Sequence, residues 1–223
     1  MRSIAYANLL FCTSLEVIAA TPISTVEAQA LIDSVTTRID ALNAQVQSNP
    51  AFAHPIGSCY GGGVVFYVNP DATAAPGNQG IIAALTDATG VAVPWSTGGT
   101  GPSTQTGYFG GQLNTVNKSG GAFASATGFN GGGFSDWYLP SIFELGTMYS
   151  QARLWDSTHG AGNFWTHCAG VAFSNASYWS SSTSLTTANP VPSFAWSING
   201  NTGFVSQATV GVGTALVRAV RAF

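Results

Sequence analysis

At 223 residues the chain has the length of one ordinary domain with a short appendage. Apolar residues make up 45 % and aromatics 12 %, enough to bury a core and to exclude wholesale disorder. Only 7 % of residues are charged, the net charge is −3, and Lys118 is the one lysine; a chain so poor in cations cannot build the basic face that phosphate neutralisation requires, which speaks against a nucleic-acid partner.

The chain opens with residues 1–20, MRSIAYANLLFCTSLEVIAA: one arginine, a mostly apolar stretch, then Ala19 and Ala20. Two readings fit, a secretory signal cleaved after Ala20 or a retained assembly segment. Its uncharged run, Ser3 to Leu15, is too short to span a bilayer. Residues 21–48 change pattern. Ile32, Val35, Ile39, Leu42 and Val46 follow one another at spacings of 3, 4, 3 and 4, the seam of a coiled coil. Ser24 or Thr25 followed by Glu27 reads as the helix start. The alternative is an amphipathic helix folded onto its own domain, but the stripe is narrower than core-facing helices show. About three heptads are marginal alone, so the stalk is expected to join three chains with help from the domain after it. Asn49-Pro50 and His54-Pro55 end the helix, making 49–55 a stiff link.

Residues 56–223 form the head. Val64 to Val68, after three glycines, is a continuous apolar run that predicts a buried strand, and Gly80 to Leu85 predicts a second, with Val91 to Trp95 as a weaker third. The later half of Gly107–Lys118 predicts a short helix. Ser141, with Glu144 three residues on, predicts a capping box opening a helix to about Arg153. Ser177–Ser182, Ser193–Ile198 and Ala215–Arg221 predict further strands. The fold class is therefore α+β, with strands at both ends and two short helices between.

Gly61–Val68, Leu113-Asn114-Thr115, Asp136–Leu145, Tyr178–Ser182, Ala195-Trp196 and Val217–Arg221 follow one another in an order that resembles the DUF1566 family, to which the C-terminal domain of a collagen-like adhesin belongs. The resemblance covers nearly all of the head. It implies a C-type-lectin-like fold with paired terminal strands, and trimeric heads on a stalk that bind sulfated polysaccharide at a cell surface. The head departs from that pattern in its cations, retaining Lys118, Arg153, Arg218 and Arg221 alone, so a neutral glycan, or no glycan at all, becomes the more credible reading.

Arg218 and Arg221, three apart on a predicted strand, point to opposite faces, so at least one turns inward and needs a carboxylate. Asp136 and Glu144 are the expected partners, and Arg221→Ala is expected to cost stability rather than binding. Trp137, Trp179 and Trp196 are assigned to packing. Trp155 and Trp165, flanking a predicted loop at 156–160, are the better candidates for stacking on a sugar, with Lys118 and Arg153 as polar contacts. Cys59 and Cys168 either form a bridge or pack as buried thiols. No catalytic motif, zinc spacing or calcium loop is present in the sequence, so neither an enzyme nor a metal or cofactor is expected. These features predict a non-enzymatic, extracellular, trimeric adhesin-like protein that binds glycan or another surface polymer; the second reading is a structural subunit of an extracellular filament or of a virion fibre or decoration.

Overall fold

The computed structural model describes residues 24–49, 53–71, 73–96, 104–116, 118–184 and 194–223. The segment 1–20 with Cys12, the 50–52 part of the link and Ser193 lie outside them. The chain divides into two units, Met1–Ala44 and Gln45–Phe223.

Helix α1 is Thr25–Ser48. Its start is the expected capping box: the Ser24 amide donates to Glu27 Oε2 (2.9 Å), and the Glu27 amide donates to Ser24 Oγ (3.2 Å). Those bonds hold the Glu27 carboxyl below its ordinary range. Ile32, Val35, Ile39, Leu42 and Val46 are all exposed, between 43 and 59 %.

The head is α+β, as expected. Its elements in chain order are β1 (Cys59–Tyr60), β2 (Gly63–Val68), β3 (Gly80–Ala84), β4 (Val93–Pro94), α2 (Gly110–Thr115), α3 (Gly121–Thr127), α4 (Ile142–His159), α5 (Asn163–Thr166), β5 (Ser177–Ser184), β6 (Phe194–Asn199), β7 (Val205–Thr209), β8 (Thr214–Ala215) and β9 (Val220–Ala222). Three antiparallel sheets result, ordered β1-β2-β3-β9, β4-β8 and β5-β6-β7. The continuous apolar runs of β2 and β3 arise because their sheet is buried on both faces. Val64, Phe66, Ile81 and Ala83 enter one core with Leu145, Met148 and Phe164. Val65, Ile82 and Ala84 enter another with Trp95, Phe123, Trp137 and Trp179.

The expected pairing of the terminal strands is corrected by this topology. β9 shares the sheet with β1 but lies against β3, through Ile81↔Ala222, Ile82↔Arg221 and Ala83↔Val220. Nor is 215–221 one strand. It serves three partners in turn: β4 through Ala215, β5 through Leu216, whose amide donates to Ser177 O (2.9 Å), and then β3. β5 also departs from the predicted alternation, since Tyr178 to Thr183 are all buried. Its serines reach that depth because each finds a partner, Ser180 Oγ donating to Trp196 O and Ser182 Oγ to Gln105 O, both at 2.9 Å.

The capping box of α4 forms as read, the Ser141 amide donating to Glu144 Oε2 (2.7 Å) and the Glu144 amide to Ser141 Oγ (3.2 Å). Glu144 is fully buried and, among the described residues, pairs with no arginine, contrary to expectation. Burial pushes its carboxyl from 4.5 up to about 7, against the pull of amide donors from Ser141, Phe109 and Gly111. The protonated form is therefore favoured in the folded head relative to the unfolded chain. The stability this confers is full below pH 4.5 and lost as pH rises through about 7. Urea midpoints of the wild type are expected to fall across that window by the equivalent of about 3 kcal/mol. Glu144→Gln, which does not titrate, is expected to flatten the profile; an unchanged slope in that variant would remove Glu144 as its source.

Candidate ligand-binding basin

Of the contact residues expected from the sequence, Arg153 and Trp165 both line one small cleft, and Trp155 and Lys118 do not. Trp165 is 1 % exposed and its ring lies 4.5 Å beneath the Arg218 guanidinium, so it belongs to the core and not to a ligand surface. Trp155 is half-buried: His159 stacks on it at 4.1 Å, His167 lies at 5.3 Å, and its Nε1 donates to Asn163 Oδ1 (3.1 Å). Gly57 packs so closely that a Cβ there would fall 2.2 Å from the indole. Neither tryptophan is a free platform. Residues 156–159 are the last turn of α4 rather than a loop. Arg153 is exposed and borders a small cleft of about 110 Å³ with Tyr149, Asp156 and Phe173. Lys118 lies partly buried in the connection between α2 and α3, its ammonium pulled below the ordinary lysine range by desolvation.

The two arginines part as expected, but to different carboxylates. Arg218 turns inward and is fully buried. Its Nε donates to Asp87 Oδ1 (2.9 Å) and its Nη1 to Val171 O (2.9 Å) and Ala84 O (3.3 Å). Nη2 stands 2.7 Å from the same Asp87 oxygen without an aligned hydrogen bond, so it contributes charge attraction alone. Tyr178 donates its hydroxyl to the other Asp87 oxygen (3.1 Å). Arg221 turns outward, its Nε donating to Asp136 Oδ1 in an ion pair, with its guanidinium 3.9 Å over the Phe134 ring. Because Asp136 is 56 % exposed, that pair is worth about 1 kcal/mol or less. The inward, stabilising role expected of Arg221 belongs to Arg218.

Arg221 instead forms part of a basin of about 580 Å³. The end of β1 supplies Tyr60, and the turn after it Gly61 and Gly62. The turn before β3 supplies Gly77 and Gln79, the loop before α4 supplies Phe134 and Asp136, and the chain end supplies Phe223. Gly61 and Gly62 line it, and the Gly131–Gly133 turn packs against Gly62. Gly62 and Gly132 have φ of 81° and 65°, and a Cβ on Gly132 would lie 2.3 Å from the Gly62 Cα, so the two turns touch backbone to backbone. Tyr60 is 38 % and Phe134 36 % exposed. His54 stacks on Tyr60 at 3.6 Å, and Phe223 meets that ring edge-on at 5.1 Å, fixing its orientation.

Chemically the basin offers aromatic rings, an amide and one internally balanced ion pair. That set suits a hydroxyl-rich, uncharged ligand: rings accept the C–H face of a pyranose while the carboxylate and guanidinium bond its hydroxyls. Sequence reasoning named Asp136 as an arginine partner without assigning the arginine, and missed Tyr60, Phe134 and Gln79. The available signal was the recurrence of three glycines at 61–63 and 131–133, each beside an aromatic residue. Among the described residues no helix is long and apolar enough to cross a membrane. No family model matches the chain, and no curated protein matches it.

Proposed function

We propose that the chain is a non-enzymatic, extracellular or cell-surface protein of the adhesin kind. Three copies join through the α1 seam, and each head binds a neutral glycan in the basin formed by Tyr60, Gln79, Phe134, Asp136 and Arg221. The basin carries this reading, because its aromatic rings stand beside polar groups whose charges already cancel. A C-type-lectin-like head of the DUF1566 kind is part of the same proposal and rests on the sequence blocks. The non-enzymatic part is supported by the acidic side chains of the head, each of which already has a donor within the chain. Asp71 accepts from Thr73, Asp87 from Arg218, Asp136 from Arg221, Glu144 from Ser141, and Asp156 from Gly162 and Phe164.

The full chain, screened on a glycan array, is expected to retain neutral oligosaccharides, with affinity changing less than about two-fold between roughly 50 and 500 mM salt. Tyr60→Ala is expected to weaken binding about ten-fold at unchanged melting temperature. Retention confined to sulfated glycans and abolished by salt would overturn the neutral-ligand reading. Sedimentation equilibrium on the same sample reads the assembly: a trimer is expected, and a monomer removes the α1 seam as an interface. The exposed seam serves a filament or virion subunit equally well, and an array without any retained glycan favours that second reading.

A further inference from the structure

The bridge between Cys59 and Cys168 closes a 109-residue separation with a Cα–Cα distance of 5.5 Å, and its two halves sit in unlike surroundings. Cys59, on the edge strand β1, is exposed, while Cys168, beyond α5, is buried. His167 stands beside the buried half, its Nε2 3.2 Å from Cys168 Sγ. The same Nε2 lies 2.6 Å from Gly57 O, and Nδ1 lies 2.6 Å from Asn163 O. Both ring nitrogens face a carbonyl, and in the Nε2–H tautomer the hydrogen held toward Gly57 O also faces the Cys168 sulfur. Trp155, near-parallel at 5.3 Å, holds the ring in place.

From this asymmetry we infer that Cys59 is a site of thiol–disulfide exchange with low-molecular-weight or peptide thiols, Cys168 being the leaving group and His167 its stabiliser. The attacking thiol gives its proton to solvent and its thiolate adds to Cys59 Sγ, forming a new S–S bond. The bond to Cys168 breaks, and its electron pair departs on Cys168 Sγ, where the Nε2–H of His167 donates to the new thiolate. No net oxidation occurs: one disulfide and one thiol become a mixed disulfide and one thiol. Access selects Cys59 as the sulfur attacked, and stabilisation of the departing thiolate speeds the step. The adduct then sits one residue from Tyr60, at the margin of the basin.

The experiment uses the full chain with reduced glutathione as the probe, acid quenching at timed intervals, alkylation of free thiols and peptide mass mapping. Glutathione is expected on Cys59, with the alkyl group on Cys168. His167→Phe, which keeps an aromatic ring beside Trp155 but carries no N–H, is expected to slow adduct formation roughly ten-fold. Glutathione found on Cys168, or shared equally between the two cysteines, overturns the inference, as does wild-type exchange in His167→Phe. Should that variant fail to fold, the position of the adduct on the wild type still decides, and His167→Gln, which retains a weaker donor, is expected to fall between the two rates.

Discussion

Arg218→Met is expected to destabilise the head by about 3–5 kcal/mol, a large loss for one side chain. Methionine matches much of the volume and keeps an apolar contact with Trp165 and Phe173, which lie 4.5 and 5.1 Å from the guanidinium carbon. It leaves the Asp87 carboxylate with the Tyr178 hydroxyl but no cation, and it deprives Ala84 and Val171 carbonyls of a donor. Arg218→Lys is expected to recover little, because an ammonium cannot stack flat on Trp165 while also reaching Asp87 and two carbonyls. The pair is best read by a double-mutant cycle in urea. The Asp87→Asn/Arg218→Met protein is expected to lose clearly less than the sum of its single variants, since no buried charge is left unpaired. A cost below about 1 kcal/mol for Arg218→Met would mean that the ion pair is not what organises this core.

Removing both halves of the bridge in a Cys59→Ala/Cys168→Ala protein is expected to cost about 4–5 kcal/mol, the chain-entropy value for a loop of this length. For a head of this size that is a fall of about 10–15 °C in melting temperature. The cross-link ties a two-residue edge strand to the segment after α5, and few other bonds join them: Cys59 pairs with Val64 on one side, and His167 reaches Gly57 O on the other. Calorimetry with and without a phosphine reductant gives the same comparison without mutation. Agreement between the reduced wild type and the double variant is expected, because the effect lies in the unfolded chain rather than in alanine at either site.

Much of the head was legible because its strongest signals are physical. β2 and β3 announced themselves as continuous apolar runs, which strands buried on both faces produce. The Ser141–Glu144 box was readable from two residues at the spacing that reciprocal capping demands. What escaped notice depended on contacts between distant segments. Asp87 was passed over as the partner of Arg218, although extending the β3–β9 ladder puts them together: the Ala84 amide donates to Ala219 O and the Ala88 amide to Val217 O, both within 2.9 Å. α4 outran its predicted end: Ser157 and Thr158, which read as loop formers, lie in its last turn with their hydroxyls turned back onto Leu154 O (2.6 Å) and Trp155 O (2.9 Å) instead of out into a loop. Asp156 then caps the short helix that follows, accepting from the Gly162 and Phe164 amides, each at 2.8 Å. The basin was hidden for a related reason: its aromatic members come from positions 60, 134 and 223, whose proximity no local pattern encodes.

The abutting Gly62 and Gly132 turns separate scaffold from specificity. With no side chain admitted where they meet, neither position tolerates a larger residue, and the two turns keep their contact. Tyr60, Gln79 and Phe134 stand around that contact as side chains that can be exchanged without touching it.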